Sequence, residues 1–285
     1  MSFALALPHG ITLQCHGTAE APQVMLLHGF PEAAFVWDDV MQRLPRLRCV
    51  APNLRGYGGS SAPEGVAAYR PKHLVADVAA AIEQLGAPLD VLVAHDWGGA
   101  VAWNLAAQRP DLLRRLLIVN SPHPAAFLRE LRHSTAQQAA SAYMNFFCRP
   151  DAAARLSADD FRLLWKTFGD AAWLTPALRE RYREVWRGGL QAQLNWYAAS
   201  PLRPPQQPDD AIHTLQLADD AVTVRVPTTV LWGERDHALL PGLLDGLERW
   251  VPDLRVIRVP EATHWVVHEQ PALVAETIAA VQRTI

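Results

Sequence analysis

Cysteine is scarce in this 285-residue chain: Cys15, Cys49 and Cys148 are an odd number, at no spacing that suits a zinc site or a disulfide framework. That argues for reduced thiols and against a structural disulfide. An excess of either charge is lacking too. With 26 Lys plus Arg against 29 Asp plus Glu, the formal net charge is -3, which gives no electrostatic footprint for nucleic acid or an anionic membrane. No apolar run approaches the roughly 20 residues that span a bilayer. The opening MSFALALPHG has neither the cationic n-region nor the sustained apolar h-region of a secretion signal. A cytoplasmic protein acting on a small, weakly polar molecule is the expectation. No internal repeat, phosphate-cradling glycine loop or metal-ligand motif is found, so neither cofactor nor metal is expected.

What is present is alternation. Half of the residues are hydrophobic, enough for a substantial core. Short apolar runs recur as FALAL, ITLQCH, VMLLH, LRCVA, DVLVA, LLIVN, TTVLW and LRVIRV. Helical periods lie between most of the later ones, at Phe35 to Leu44, Lys72 to Leu85, Ala100 to Gln108 and Pro271 to Thr284. This predicts an α/β fold: a mainly parallel twisted sheet flanked by helices, with a hairpin at its start. The alternation stops after Val119 and resumes near Val226. Between them, residues 123–221 hold aromatic and helical stretches and the Pro-rich loop PLRPPQQPDD. We expect a helical lid there, inserted after the sixth strand and closing over the carboxyl edge where open α/β sheets bind ligands. The core is then expected in two parts, 1–122 and 222–285.

Chemistry concentrates at four strand ends. In VLVAHDWGGAVAWNL, residues 91–105, Ala94, Gly98 and Gly99 flank Asp96 as small residues flank the apex of a nucleophile elbow, a tight strand-to-helix turn that exposes one side chain. A carboxylate there can be a nucleophile; it can also be a helix N-cap. In LLHGFPE, residues 26–32, the amide of Phe30 is placed to join that of Trp97 in an oxyanion hole, although an ordinary Gly-Pro loop reads the same way. Asp236 in LWGERDHAL and His264 in PEATHWVVHEQP follow the last two strands. Taken singly, each is an ordinary loop residue. Nucleophile, acid and histidine in that chain order form the order of an α/β-hydrolase triad.

On these motifs the chain resembles the α/β-hydrolase superfamily over nearly its whole length, and within it the epoxide hydrolases, through HGFPE and HDWGG. The segment NLRGYGGS, residues 53–60, is also similar, although that family often has Asp where this chain has Asn53. SAYMNFFCRP and LNWYAASP, residues 141–150 and 194–201, resemble the two segments that supply the family's lid tyrosines. The resemblance thus implies a pair, Tyr143 and Tyr197, whereas spacing alone reads both as packing aromatics. It implies conversion of epoxides to vicinal diols through an ester on Asp96, hydrolysed by water that His264 and Asp236 activate. The expected partners are a small apolar or aromatic epoxide and water. A homodimer stays open.

Haloalkane and haloacetate dehalogenases share the Asp nucleophile and are the rival reading. Against them stand Phe30, where haloalkane enzymes tend to carry a polar halide-binding residue, Trp97, where haloacetate enzymes favour arginine, and a tyrosine pair that halide release does not need. A non-catalytic ligand-binding relative is the remote alternative. His28 and His95 read as structural donors. His268, four residues beyond His264, lacks the intervening Glu of a zinc motif. Phe161, Trp165, Trp173 and Trp186 enrich the predicted lid and suggest an apolar or aromatic substrate.

Overall fold

The eight apolar runs pair into one sheet of order β1-β2-β4-β3-β5-β6-β7-β8 in the computed structural model, which describes residues 1–285. The strands are β1 (Ser2–Ala6), β2 (Thr12–Gly17), β3 (Val24–Leu27), β4 (Cys49–Pro52), β5 (Leu89–His95), β6 (Leu113–Val119), β7 (Thr228–Gly233) and β8 (Leu254–Val259). β1, β2 and β4 pair antiparallel, and all other neighbours are parallel. Burial explains the division. Along β5, Val91, Leu92, Val93 and Ala94 are all fully buried, as expected of a parallel strand covered on both faces. β1 alternates between exposed and half-buried positions at the edge.

Helices fill the connections: α1 (Asp38–Gln42), α2 (Pro71–Gly86), α3 (Asp96–Gln108), α4 (Pro124–His133), α5 (Thr135–Ala140), α6 (Tyr143–Phe147), α7 (Ala152–Phe168), α8 (Pro176–Ala199), α9 (Asp219–Val222), α10 (Val266–Glu269) and α11 (Pro271–Gln282). α2 and α3 pack together, with α3 lying on β5 and β6; α11, beside α1, covers the same two strands. α4 to α9 all lie between β6 and β7, a stretch without a strand. Three of them begin on side-chain caps, α4 at His123, α5 at Ser134 and α8 at Thr175, each accepting from an amide of the first turn. The segment Phe35 to Leu44 is shorter than its periodicity predicts: a 3-10 turn runs into α1, which ends at Gln42.

Asn53 explains how its loop holds without an aspartate. Its Oδ1 accepts from the Ala34 amide at 2.7 Å while its Nδ2 donates to the Gly58 carbonyl at 3.0 Å. A carboxylate could make only the first of these bonds.

The aromatic residues of the inserted segment do not do what their composition suggests. Trp165 and Trp186 lie 4.4 Å apart between centroids, Phe161 is 5.3 Å from Trp186, and Trp173 stacks on His268 at 4.2 Å. None of the four lines the cavities beside Asp96. They seal the insertion onto the core, where large flat rings remove the most apolar surface from water.

Candidate active site

β5 ends at His95 and α3 begins at Asp96, whose φ is +47°. A left-handed conformation at a non-glycine residue costs about 1 kcal/mol or more, and the surroundings must enforce it. They do so by crowding. A Cβ at Gly98 would run into the carbonyl of His28, and one at Gly29 would run into the Asp96 side chain itself. Ser121, just past β6, donates its hydroxyl to the Asp96 carbonyl at 2.7 Å. The turn is thus pinned on both sides, and the carboxylate projects from it.

Of the two Asp96 oxygens, Oδ1 accepts the Phe30 amide at 2.8 Å, while Oδ2 lies 3.7 Å from Nε2 of His264. No hydrogen bond joins the Trp97 amide to this carboxylate in the resting arrangement. Asp96 therefore does not use its side chain as a helix cap. Oδ2 is left open toward the cavities.

His264 donates from Nδ1 to Asp236 Oδ2 at 2.7 Å. Asp236 is almost fully buried, and burial alone would raise its pKa; the neighbouring His264 charge, its hydrogen bond, the Leu239 amide and Asn120 together hold it below the usual range. Asn120, left-handed at φ +38° after β6, spans the gap: Nδ2 donates to Asp236 at 2.9 Å and Oδ1 accepts from the Gly233 amide at 2.7 Å. Burial opposes a charge on His264, but Asp236, with help from Asp96 and Glu32, outweighs it and lifts the pKa to about 9.

Tyr143, at the start of α6, and Tyr197, near the end of α8, meet above the carboxylate with ring centroids 6.2 Å apart. The Tyr143 hydroxyl has no hydrogen-bond partner in the protein, and that of Tyr197 is approached by the Trp97 side chain. Burial raises both phenol pKa values far above normal, and nearby Asp96 raises them further. Both rings are therefore protonated donors at any physiological pH. Cavities of about 300 and 440 Å³ share Asp96, Tyr143 and Tyr197 as lining residues. The carboxylate and the phenols thus stand where two arms of one passage meet.

Residues 22–271 match the alpha/beta hydrolase fold family, Abhydrolase_1. The AB hydrolase superfamily protein YfhM of Bacillus subtilis (strain 168) is 36% identical over 280 residues, covering 95% of this chain and 94% of that one. Epoxide hydrolase 4 of Mus musculus is 31% identical over 271 residues, 90% of this chain and 72% of the relative. The crystal structure of a Bacillus megaterium epoxide hydrolase in complex with an inhibitor superposes with a TM-score of 0.89 at 28% identity, over 99% of this chain and 100% of that one. The chain belongs to the epoxide hydrolase family of the α/β hydrolases.

The hydrolase also contains a buried network that its sequence does not announce. Glu32, fully buried, lies 3.0 Å from Nδ1 of His95 and 3.0 Å from Nε2 of His268, and accepts from the Tyr182 hydroxyl at 2.8 Å. Burial would raise its carboxyl, but the bonds from His268 and His95 hold it well below the usual range. His95 Nε2 in turn reaches the His264 carbonyl at 3.0 Å. His28 is a separate structural link: Nδ1 donates to the Gly29 carbonyl and Nε2 accepts the Leu54 amide, and burial lowers its pKa to about 4. HGFPE thus supplies, beside Phe30, a carboxylate that ties α8 and α10 to the loop under Asp96.

Proposed function

We propose that this hydrolase opens epoxides to vicinal diols through a covalent ester on Asp96, under a lid formed by the helices between β6 and β7. The observation that carries the reading is the convergence of two protonated phenols over a carboxylate that has one oxygen on an amide donor and the other facing a histidine.

In the first half-reaction Oδ2 of Asp96 attacks a ring carbon, the C–O bond of the epoxide breaks, and the oxygen takes a proton from Tyr143 or Tyr197. Oδ1, already on the Phe30 amide, becomes the ester carbonyl oxygen. In the second half-reaction His264 takes a proton from water, whose oxygen bonds to the Asp96 carboxyl carbon. The oxyanion on Oδ1 is held by Phe30 and, as it becomes tetrahedral, by the Trp97 amide, each such donor contributing about 3 to 4 kcal/mol. Collapse breaks the bond between the Asp96 carboxyl carbon and the ester oxygen; the leaving alkoxide takes the proton held by His264 and departs as the diol, and the Asp96 carboxyl passes its remaining proton back to His264.

The raised pKa of His264, about 9, fits this order of events. At neutral pH the resting ring is cationic between two carboxylates and is no base. Alkylation removes the charge of Asp96, one cause of the shift, and so lowers the His264 pKa; the ring gives up its proton, which restores the tyrosine that protonated the epoxide oxygen, and His264 is then a neutral base for the water. The small apolar or aromatic epoxide class follows from the apolar cavity walls at Phe127, Met144 and Leu202.

Trapping the ester tests the reading. His264→Gln mixed with styrene oxide should gain the mass of one epoxide on the peptide that contains Asp96. Diol turnover with no adduct in this variant would refute a covalent route. Halide release from haloalkanes without diol formation from epoxides would favour the dehalogenase chemistry instead.

A further inference from the structure

The two arms that meet at Asp96 are chemically unlike. Asp96 is the one charged side chain lining the smaller arm, whose wall includes Trp97, Ala100, Phe127 and Met144. The larger arm carries Lys166, Asp236, His237 and His264, with Thr167 and Thr263, beside the rings of Phe147, Phe168 and Trp265, and it alone contains both His264 and Phe30. The base and the engaged oxyanion donor thus open into one arm only.

We propose that the arms divide the reaction, the smaller taking the single apolar substituent of a terminal epoxide and the larger admitting the hydrolytic water, so that the preferred substrates are monosubstituted. This rests on the ester mechanism proposed above. An apolar substituent gains by leaving water for the smaller arm, whereas in the larger it would strip water from Lys166 and His237, both exposed there, without replacing their hydrogen bonds. Water must reach the Asp96 carboxyl carbon from the side where His264 Nε2 can accept its proton. A group on the second ring carbon extends into that space. It leaves alkylation possible, because Oδ2 and the phenols lie at the junction, but it obstructs the water whose oxygen must bond to the carboxyl carbon as the ester C–O bond breaks.

Styrene oxide and trans-stilbene oxide differ by one phenyl group and separate the steps. In single-turnover reactions followed by intact mass, both should alkylate the enzyme, and the stilbene ester should persist at least about tenfold longer. Equal decay of the two esters, or a stilbene oxide that fails at alkylation while styrene oxide succeeds, overturns the proposal and leaves the mechanism standing. No adduct from either, with diol formed, sinks the mechanism itself. Two wall variants give an independent reading. Thr167→Trp, at an exposed position in the larger arm, should slow decay of the styrene ester by about fivefold or more with alkylation little changed. Ala100→Leu, in the smaller arm, should weaken alkylation and leave decay unchanged. The opposite pattern, or equal effects on both steps, contradicts the division.

Discussion

Nε2 of His264 stands 3.7 Å from Oδ2 of Asp96, while Nδ1 of the same ring binds Oδ2 of Asp236 at 2.7 Å. One imidazole is therefore anchored firmly on the Asp236 side and loosely on the Asp96 side. The loose contact leaves both the Asp96 oxygen and the ring nitrogen accessible to reactants from the cavities.

This pairing sets a pH dependence. The His264 pKa is raised from 6.5 to about 9 in the folded protein, so the stabilisation from its charged form is fully present below about pH 6.5 and is lost as pH rises through about 9. Chemical denaturation followed between pH 6 and 10 should show that loss, and His264→Gln should flatten it. Nitrogen NMR of the ring should give a midpoint near 9 in the free enzyme and a lower one in Asp96→Asn, since Asp96 contributes to the shift. A midpoint near 6.5 in the free enzyme contradicts this electrostatic picture.

The tyrosine pair makes a prediction about one step. Tyr143→Phe and Tyr197→Phe should each slow alkylation by about tenfold or more, and the double variant by about a hundredfold or more, as loss of a proton donor does. Decay of a preformed ester should change little. Equal losses in both steps would mean that the rings serve packing alone.

Tyr182 tests the buried network instead. Tyr182→Phe removes one partner of the Glu32 carboxylate at a fully buried site, at an expected cost of about 1 to 3 kcal/mol in urea unfolding. Phe35 and Phe168, whose rings pack on Tyr182, keep the same apolar contacts. No loss of stability would show that the hydroxyl is dispensable to Glu32.

Fold and site were not equally legible in the sequence. All eight strands are marked by apolar runs of strand length, and Asp96, Asp236 and His264 stand just beyond three of them, where the chain must turn. A turn at a strand end is a local property, readable from neighbours such as Gly98. The Glu32 network is not local. Its members Tyr182 and His268 lie 150 and 236 residues away along the chain, and Tyr182 looks like any helical aromatic. The lid aromatics misled for the same reason. Periodicity places Trp165 and Trp186 on helices but does not say which tertiary surface a helix face meets, and here those rings meet one another. The phenols were separable from them only through the family resemblance.

The central claim is that Asp96 becomes esterified, and isotope transfer tests it most directly. With enzyme in excess over styrene oxide in heavy-oxygen water, the first-turnover diol should carry no solvent oxygen, and the peptide containing Asp96 should gain one heavy oxygen. Solvent oxygen in the first-turnover diol, with an unlabelled Asp96, would show that water attacks the epoxide directly.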